Sequence, residues 1–233
     1  VSFVRLAVFA SGGGSNLQAL IDRFNTRKGG VRVTLVLSDR EAAGALRRAR
    51  AANIDASVIM VAGRPPDYVA RETLAALESG DVDMIALAGY LRLVPQVVVR
   101  RFRNRMINIH PALLPAFGGR GMYGLRVHEA VLASGSTVSG ATVHYVDEQY
   151  DEGRIIAQWP VPVLAHDTPA SLAARVLEVE HMLYPAAVEL VARSLVNEET
   201  AAARDRVDAA CFLSVPQPAP SEAELRRALG LND

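Results

Sequence analysis

The sequence predicts an α/β fold: a doubly wound, mostly parallel central sheet with helices on both faces. Three observations lead there. Short runs rich in Val, Ile and Leu alternate with amphipathic stretches from residue 3 to residue 110. The apolar runs are continuous rather than alternating, which is the pattern of strands covered on both faces. A glycine cluster, Ser11-Gly12-Gly13-Gly14-Ser15-Asn16, stands between the first run and the first amphipathic stretch, where a strand turns into a helix.

Each element has its own justification. Residues 3–10 read as a strand, and 16–27 as a helix with Leu17, Leu20, Ile21 and Phe24 spaced for one face. A strand over 31–37, a helix over 41–52 and a strand over 56–61 follow. Residues 66–79 form a helix with proline tolerated in its first turn. A strand at 84–88, a short helix at 95–102 and a strand at 106–110 complete the repeating pattern. It then changes to a Pro- and Gly-rich loop over 111–124 and a short helix around 127–133. Two strands, 140–146 and 155–163, are expected to run antiparallel to their neighbours. A long helix spans 168–195, with Thr168 as N-cap and Pro169 as its first residue. From Asn197 the chain turns polar, and Ser221 with Glu224 offers a capping box for a last short helix. This tail is expected to be peripheral.

Composition narrows the function. Half of the 233 residues are hydrophobic and 21% are charged, enough to bury a core. Lys plus Arg and Asp plus Glu each number 25, so the formal charge is zero, without the basic excess of a nucleic-acid binder. The single cysteine, Cys211, excludes an internal disulfide and a cysteine-rich zinc site. No apolar run reaches the roughly 18 residues of a membrane span. The first ten residues lack a signal-peptide pattern. The expectation is a soluble cytoplasmic protein with neither nucleic acid nor membrane as partner. A homodimer is compatible with the sequence but not specified by it.

Four constellations carry candidate chemistry. The glycine turn lets backbone N–H groups approach an anion at a helix N-terminus. It lacks the Lys-Ser/Thr ending of a Walker loop. It also departs from the dinucleotide fingerprint, because Leu17 stands at the third glycine and no acidic residue is expected at the end of the second strand. A monophosphate fits better, and a tight turn capped by Ser15 is the simpler alternative. Asn108 and His110 alternate onto one side of their strand at its carboxyl end. There an amide and an imidazole suit oxyanion stabilisation and proton transfer, unless His110 is only a hydrogen-bonded structural residue. The segment from His144 to Gly153 is acidic. Asp147, Glu148 and Glu152 read as a solvated turn, whereas Asp151, two residues before Gly153, is placed to raise the pKa of His110. Metal binding by His110, His144 and Asp151 is the rival use of the same groups. On pattern alone Glu180-His181 reads as an exposed or helix-packing pair, and His128 and His166 likewise carry no functional signal.

In this order, the stretches SGGGSNLQALID, ALAGYLRLVP, NIHPALLPAFGGRGMYG, SGATVHYVDEQYDEGRIIAQ and EHMLYP resemble the phosphoribosylglycinamide formyltransferases, within the folate-dependent formyltransferase superfamily. The resemblance runs from about residue 4 to about residue 191. It implies a catalytic domain over 1–196, with a phosphate-binding half to about 105 and a folate and catalytic half from about 106, followed by the tail 197–233. It implies Asn108, His110 and Asp151 as the catalytic group, supported by His144. Gly13, Gly14, Ser15 and Asn16 would hold the phosphate of glycinamide ribonucleotide, and Glu180 its ribose. Leu91, Arg92, Leu93 and Val94 would face the folate pterin, together with Asn108 and the loop from Asp147 to Asp151. Arg64 would lie near the folate tail.

The implied reaction moves a formyl group from 10-formyltetrahydrofolate to the ribonucleotide amine through a tetrahedral intermediate and without a metal. Asn108 and a protonated His110, kept charged by Asp151, would stabilise the oxyanion. A formyltetrahydrofolate hydrolase, another formyltransferase of the superfamily, a phosphate-binding module without catalysis and a metal-dependent hydrolase are the alternatives.

Overall fold

A computed structural model describes residues 3–25 and 30–196, with positions 221, 223, 226, 227 and 229–231 of the tail. Its elements are β1 (Val4–Phe9), α1 (Ser15–Phe24), β2 (Val31–Ser38), α2 (Gly44–Ala51), β3 (Asp55–Val58), α3 (Pro66–Ser79) and β4 (Met84–Leu87). They continue with α4 (Gln96–Arg101), β5 (Met106–His110), α5 (Leu125–Ala133), β6 (Val138–Tyr145), β7 (Ile155–Pro162) and α6 (Pro169–Val196). The seven strands form one sheet in the order β3-β2-β1-β4-β5-β6-β7. Pairings from β3 through β5 are parallel, and β5–β6 and β6–β7 are antiparallel. This is the α/β, mostly parallel architecture that the alternation of apolar runs and helices predicts.

The inner strands are apolar throughout because both faces are covered. Leu6, Val8, Met84 and Ala86 pack in the core cluster that contains the buried residues of α1, α2 and α6. Ala7, Phe9, Ile85 and Leu87 join residues of α3 and α4 in a second cluster. In α1, Leu17, Leu20, Ile21 and Phe24 are buried as their spacing requires, each worth about 2 kcal/mol relative to exposure. Thr168 caps α6 reciprocally with Ser171: Thr168 Oγ1 accepts from the Ser171 N–H at 3.2 Å, and Ser171 Oγ from the Thr168 N–H at 2.9 Å. Midway along α6, the Tyr184 hydroxyl donates to the carbonyl oxygens of Leu87 at 2.8 Å and Ile107 at 3.2 Å, tying the helix to β4 and β5.

Three local readings are corrected. Helix α2 begins at Gly44 rather than residue 41, because a turn with the Ala43 N–H on the Arg40 carbonyl precedes it. Gly14, not Ser15, occupies the N-cap of α1, in the left-handed conformation at φ 77°. The described tail residues are not merely peripheral. Leu229 and Leu231 are buried in the larger core cluster, and Arg226 pairs at 2.8 Å with Glu189, which also holds Arg23 at 3.1 Å. Arg27, Cys211 and Glu224 lie outside the described residues. Among the described residues no helix is long and apolar enough to cross a membrane.

The chain runs outward from β1 to β3 and then returns to β4 on the other side of β1. The loops leaving β1 and β4 therefore diverge, and a crevice opens at the carboxyl ends of the strands.

Candidate active site

That crevice is a cleft of about 700 Å³. Its floor is the glycine turn after β1 and the segment 87–94 after β4, and its walls are the end of β5, the loops after β5 and β6, and Glu180 of α6. Of the residues singled out from the sequence, Gly13, Gly14, Ser15, Asn16, Leu91, Arg92, Leu93, Val94, Asn108, His110, His144, Asp147, Asp151 and Glu180 all line it. Arg64 does not. Its guanidinium pairs with Glu72 at 2.7 Å and lies 4.3 Å over the ring of Tyr68.

The glycine turn is shaped by two different demands. Gly14 is required structurally, because its φ is positive and a Cβ there would meet Ala45 within 2.8–2.9 Å. Gly12 and Gly13 face open space, so nothing in the packed fold demands glycine at either. The backbone N–H groups of Gly12, Gly13, Gly14, Ser15 and Asn16 have no hydrogen-bond partner among the described residues. Consecutive free donors at a helix N-terminus make an anion cradle.

Beside the cradle, the Asn16 amide donates to Glu180 Oε2 at 2.8 Å, and Asn16 Oδ1 is buried without a partner among the described residues. Burial pushes the Glu180 carboxyl up to about 7, against the opposing hydrogen bond from Asn16. Folding thus takes up a proton at Glu180 between about 4.5 and about 7, and stability falls as pH rises through that window. In thermal melts from about pH 5 to about pH 8, wild type is expected to lose stability relative to Glu180→Gln by on the order of 3 kcal/mol. A gap between the two that stays constant with pH would show that the buried carboxyl is already charged at the lower limit.

The catalytic candidates meet through strand register. Asn108 pairs directly with His144 across β5–β6, and the Asn108 amide lies 3.0 Å from His144 Nε2. His144 Nδ1 is 2.9 Å from the Tyr145 carbonyl, which can only accept, so the proton sits on Nδ1 and Nε2 accepts from Asn108. The second Asn108 hydrogen reaches Asp151 Oδ1 at 3.4 Å. The same reasoning puts the His110 proton on Nε2, 2.8 Å from the Phe117 carbonyl, and turns Nδ1 towards Asp151 Oδ2 at 3.5 Å. Asp151, at φ 59°, receives the Gly119 N–H at 2.9 Å and lies 3.5 Å from His144 Nε2.

Charges follow from burial and partners. Burial raises the Asp151 carboxyl, but His144 and His110 beside it and the Gly119 N–H outweigh it, and the net shift is downward. For His110 burial wins over Asp151 and the Phe117 carbonyl, and its pKa falls below the ordinary value. The expectation that Asp151 keeps His110 charged is therefore corrected: near neutral pH the pair is a carboxylate facing a neutral imidazole. Among the described residues no three His, Cys, Asp or Glu side chains are arranged to hold a metal ion.

Several contributors escape sequence reasoning. The Pro- and Gly-rich loop supplies the Phe117 carbonyl and Gly119 N–H that orient His110 and Asp151, and Thr142 anchors it by accepting from the Leu114 N–H at 3.1 Å and donating to the Ala112 carbonyl at 2.6 Å. Ser11 Oγ accepts from the Leu91 N–H at 2.9 Å and joins the two floor loops. An acidic residue does stand at the end of β2, contrary to the reading of the motif: the Asp39 side chain is fully buried, its Oδ2 holds Arg92 at 2.8 Å, and it does not line the cleft. Asp39 was legible as a residue, but its partner lies 53 positions away.

The family model described as formyl transferase matches residues 4–188. The chain is 46% identical over 188 residues to the chloroplastic phosphoribosylglycinamide formyltransferase of Vigna unguiculata, a match covering 79% of this chain and 60% of that one. It thus spans only 60–62% of the length of the two plant relatives it matches. Glycinamide ribonucleotide transformylase 1 from Symbiobacterium toebii superposes with a TM-score of 0.75 at 41% identity, over 82% of this chain and 89% of that one. Phosphoribosylglycinamide formyltransferase from Brucella melitensis gives 0.75 and 41%, over 82% and 96%.

Proposed function

The chain belongs to the formyl transferase family, and from that premise we propose that it moves the formyl group of 10-formyltetrahydrofolate to the amine of glycinamide ribonucleotide, a step of de novo purine synthesis. The observation that carries this reading is that one cleft holds both an anion cradle and the Asn108, His110 and Asp151 group. A phosphorylated amine anchored at Gly13–Asn16 and Glu180 reaches across the cleft to the catalytic end of β5.

The amine nitrogen attacks the formyl carbon, forming a C–N bond and leaving negative charge on the formyl oxygen. The Asn108 amide donates to that oxygen in exchange for its longer contact with Asp151. The new nitrogen is cationic and must lose a proton. Neutral His110 takes it on Nδ1, where Asp151 stabilises the resulting imidazolium. The proton then passes to the folate nitrogen as its bond to the formyl carbon breaks, releasing tetrahydrofolate and the formylated amide. The folate lies along 91–94, held by the Asp39–Arg92 pair and the Ser11–Leu91 bond, with Asp147 on the opposite wall. No metal takes part, and the lone cysteine suits a reducing, cytoplasmic setting.

The test is release of tetrahydrofolate from 10-formyltetrahydrofolate, with and without glycinamide ribonucleotide and in the presence of EDTA. Release is expected only with the ribonucleotide and is unchanged by the chelator. Release without the ribonucleotide would assign a hydrolase, and loss with EDTA a metal-dependent reaction.

A further inference from the structure

The anion cradle is braced from behind by α2. The Gly12 carbonyl accepts from the Ala45 N–H at 3.1 Å, and the Gly13 carbonyl from Arg48 Nε at 2.9 Å. In a planar trans peptide the carbonyl and the following N–H point in opposite directions. Holding these two carbonyls towards α2 therefore turns the N–H groups of Gly13 and Gly14 away from it. Those glycines line the cleft, and Arg48 does not. The guanidinium is fixed at its other end as well: Nη1 donates to Gln18 Oε1 at 3.0 Å, and the Gln18 amide donates to Asp22 at 2.8 Å. Arg47, its neighbour, is exposed and makes no hydrogen bond to the loop among the described residues.

We infer that Arg48 is a positioning residue for the phosphate site: by gripping the Gly13 carbonyl behind the loop, it aims the Gly14 N–H at the substrate phosphate. This rests on the phosphate reading of the proposed function. Without Arg48, the Gly13 carbonyl loses the side-chain hydrogen bond that holds it towards α2, and the cradle loses a preset donor.

Steady-state kinetics with glycinamide ribonucleotide and with its dephosphorylated ribonucleoside test the inference on wild type, Arg48→Met, Arg48→Lys and Arg47→Ala. Arg48→Met is expected to raise the KM for the ribonucleotide about tenfold, with kcat and the KM for the folate within about twofold. Its preference for ribonucleotide over ribonucleoside should shrink by the same factor. Arg48→Lys, which can still donate to the carbonyl, recovers part of the loss. Arg47→Ala, which removes an equal charge, behaves as wild type. An unchanged preference in Arg48→Met overturns the inference, and so does an equal loss in Arg47→Ala, which would mean a general charge effect. A wild type that treats the two acceptors alike instead overturns the phosphate reading itself. Because Arg48 is exposed, melting temperatures of the variants should match wild type, which separates positioning from misfolding.

Discussion

Asp151→Asn is expected to lower kcat at least about a hundredfold, in line with the loss of a positioned proton-transfer group, while the KM for both substrates stays near wild type. Asparagine tolerates the left-handed backbone that Asp151 adopts at φ 59°, and its carbonyl can still accept the Gly119 N–H. What disappears is the negative charge 3.5 Å from His110 Nδ1. Burial already holds the His110 pKa down, so without Asp151 the Phe117 carbonyl is left to offset the desolvation of the imidazolium formed in the reaction. Kinetics across a pH series would register the change: the imidazole would accept a proton only at lower pH than in wild type. Turnover near the wild-type value would remove Asp151 from the mechanism.

Gly153→Ala is expected to cost about 3 kcal/mol of stability and to take most of the activity with it. Gly153 packs against the Tyr145 carbonyl so closely that a Cβ would overlap the oxygen, with the Asp147 N–H also only 3.5 Å from it. The obstacle is the Tyr145 backbone, so no rotamer change relieves it. The loop must move, and Asp151 moves with it. Thermal melting and kcat measured well below the transition separate the two effects. Glu152→Ala, at an exposed neighbour, is the control that should do neither. An alanine variant as stable and active as wild type would mean that the loop has slack the packing does not suggest.

Much of the site was legible because its residues sit at positions that local rules mark. Asn108 and His110 share a strand face by simple alternation. The glycine turn stands out at a strand-to-helix junction, and Gly153 signals the bend beside Asp151. Glu180 was legible only through the family resemblance, since one acidic residue in a long helix carries no pattern. Asp39 was overlooked, and Arg48 gave no signal at all: an exposed arginine on a helix reads as a solvated face, and its role rests on a bond across 35 positions.

By itself the sequence determined the α/β class, the order of elements and the polarity of the last strands. These follow from periodicity, turn chemistry and motif, all local along the chain. The tertiary structure alone decided the ionisation of the site and the direction of its backbone donors. A pKa depends on how much water is excluded and on which charges lie within a few ångströms, and burial outweighs Asp151 at His110 but not the partners of Asp151 itself. A peptide's orientation likewise depends on what grips its carbonyl, and for the cradle that grip comes from α2.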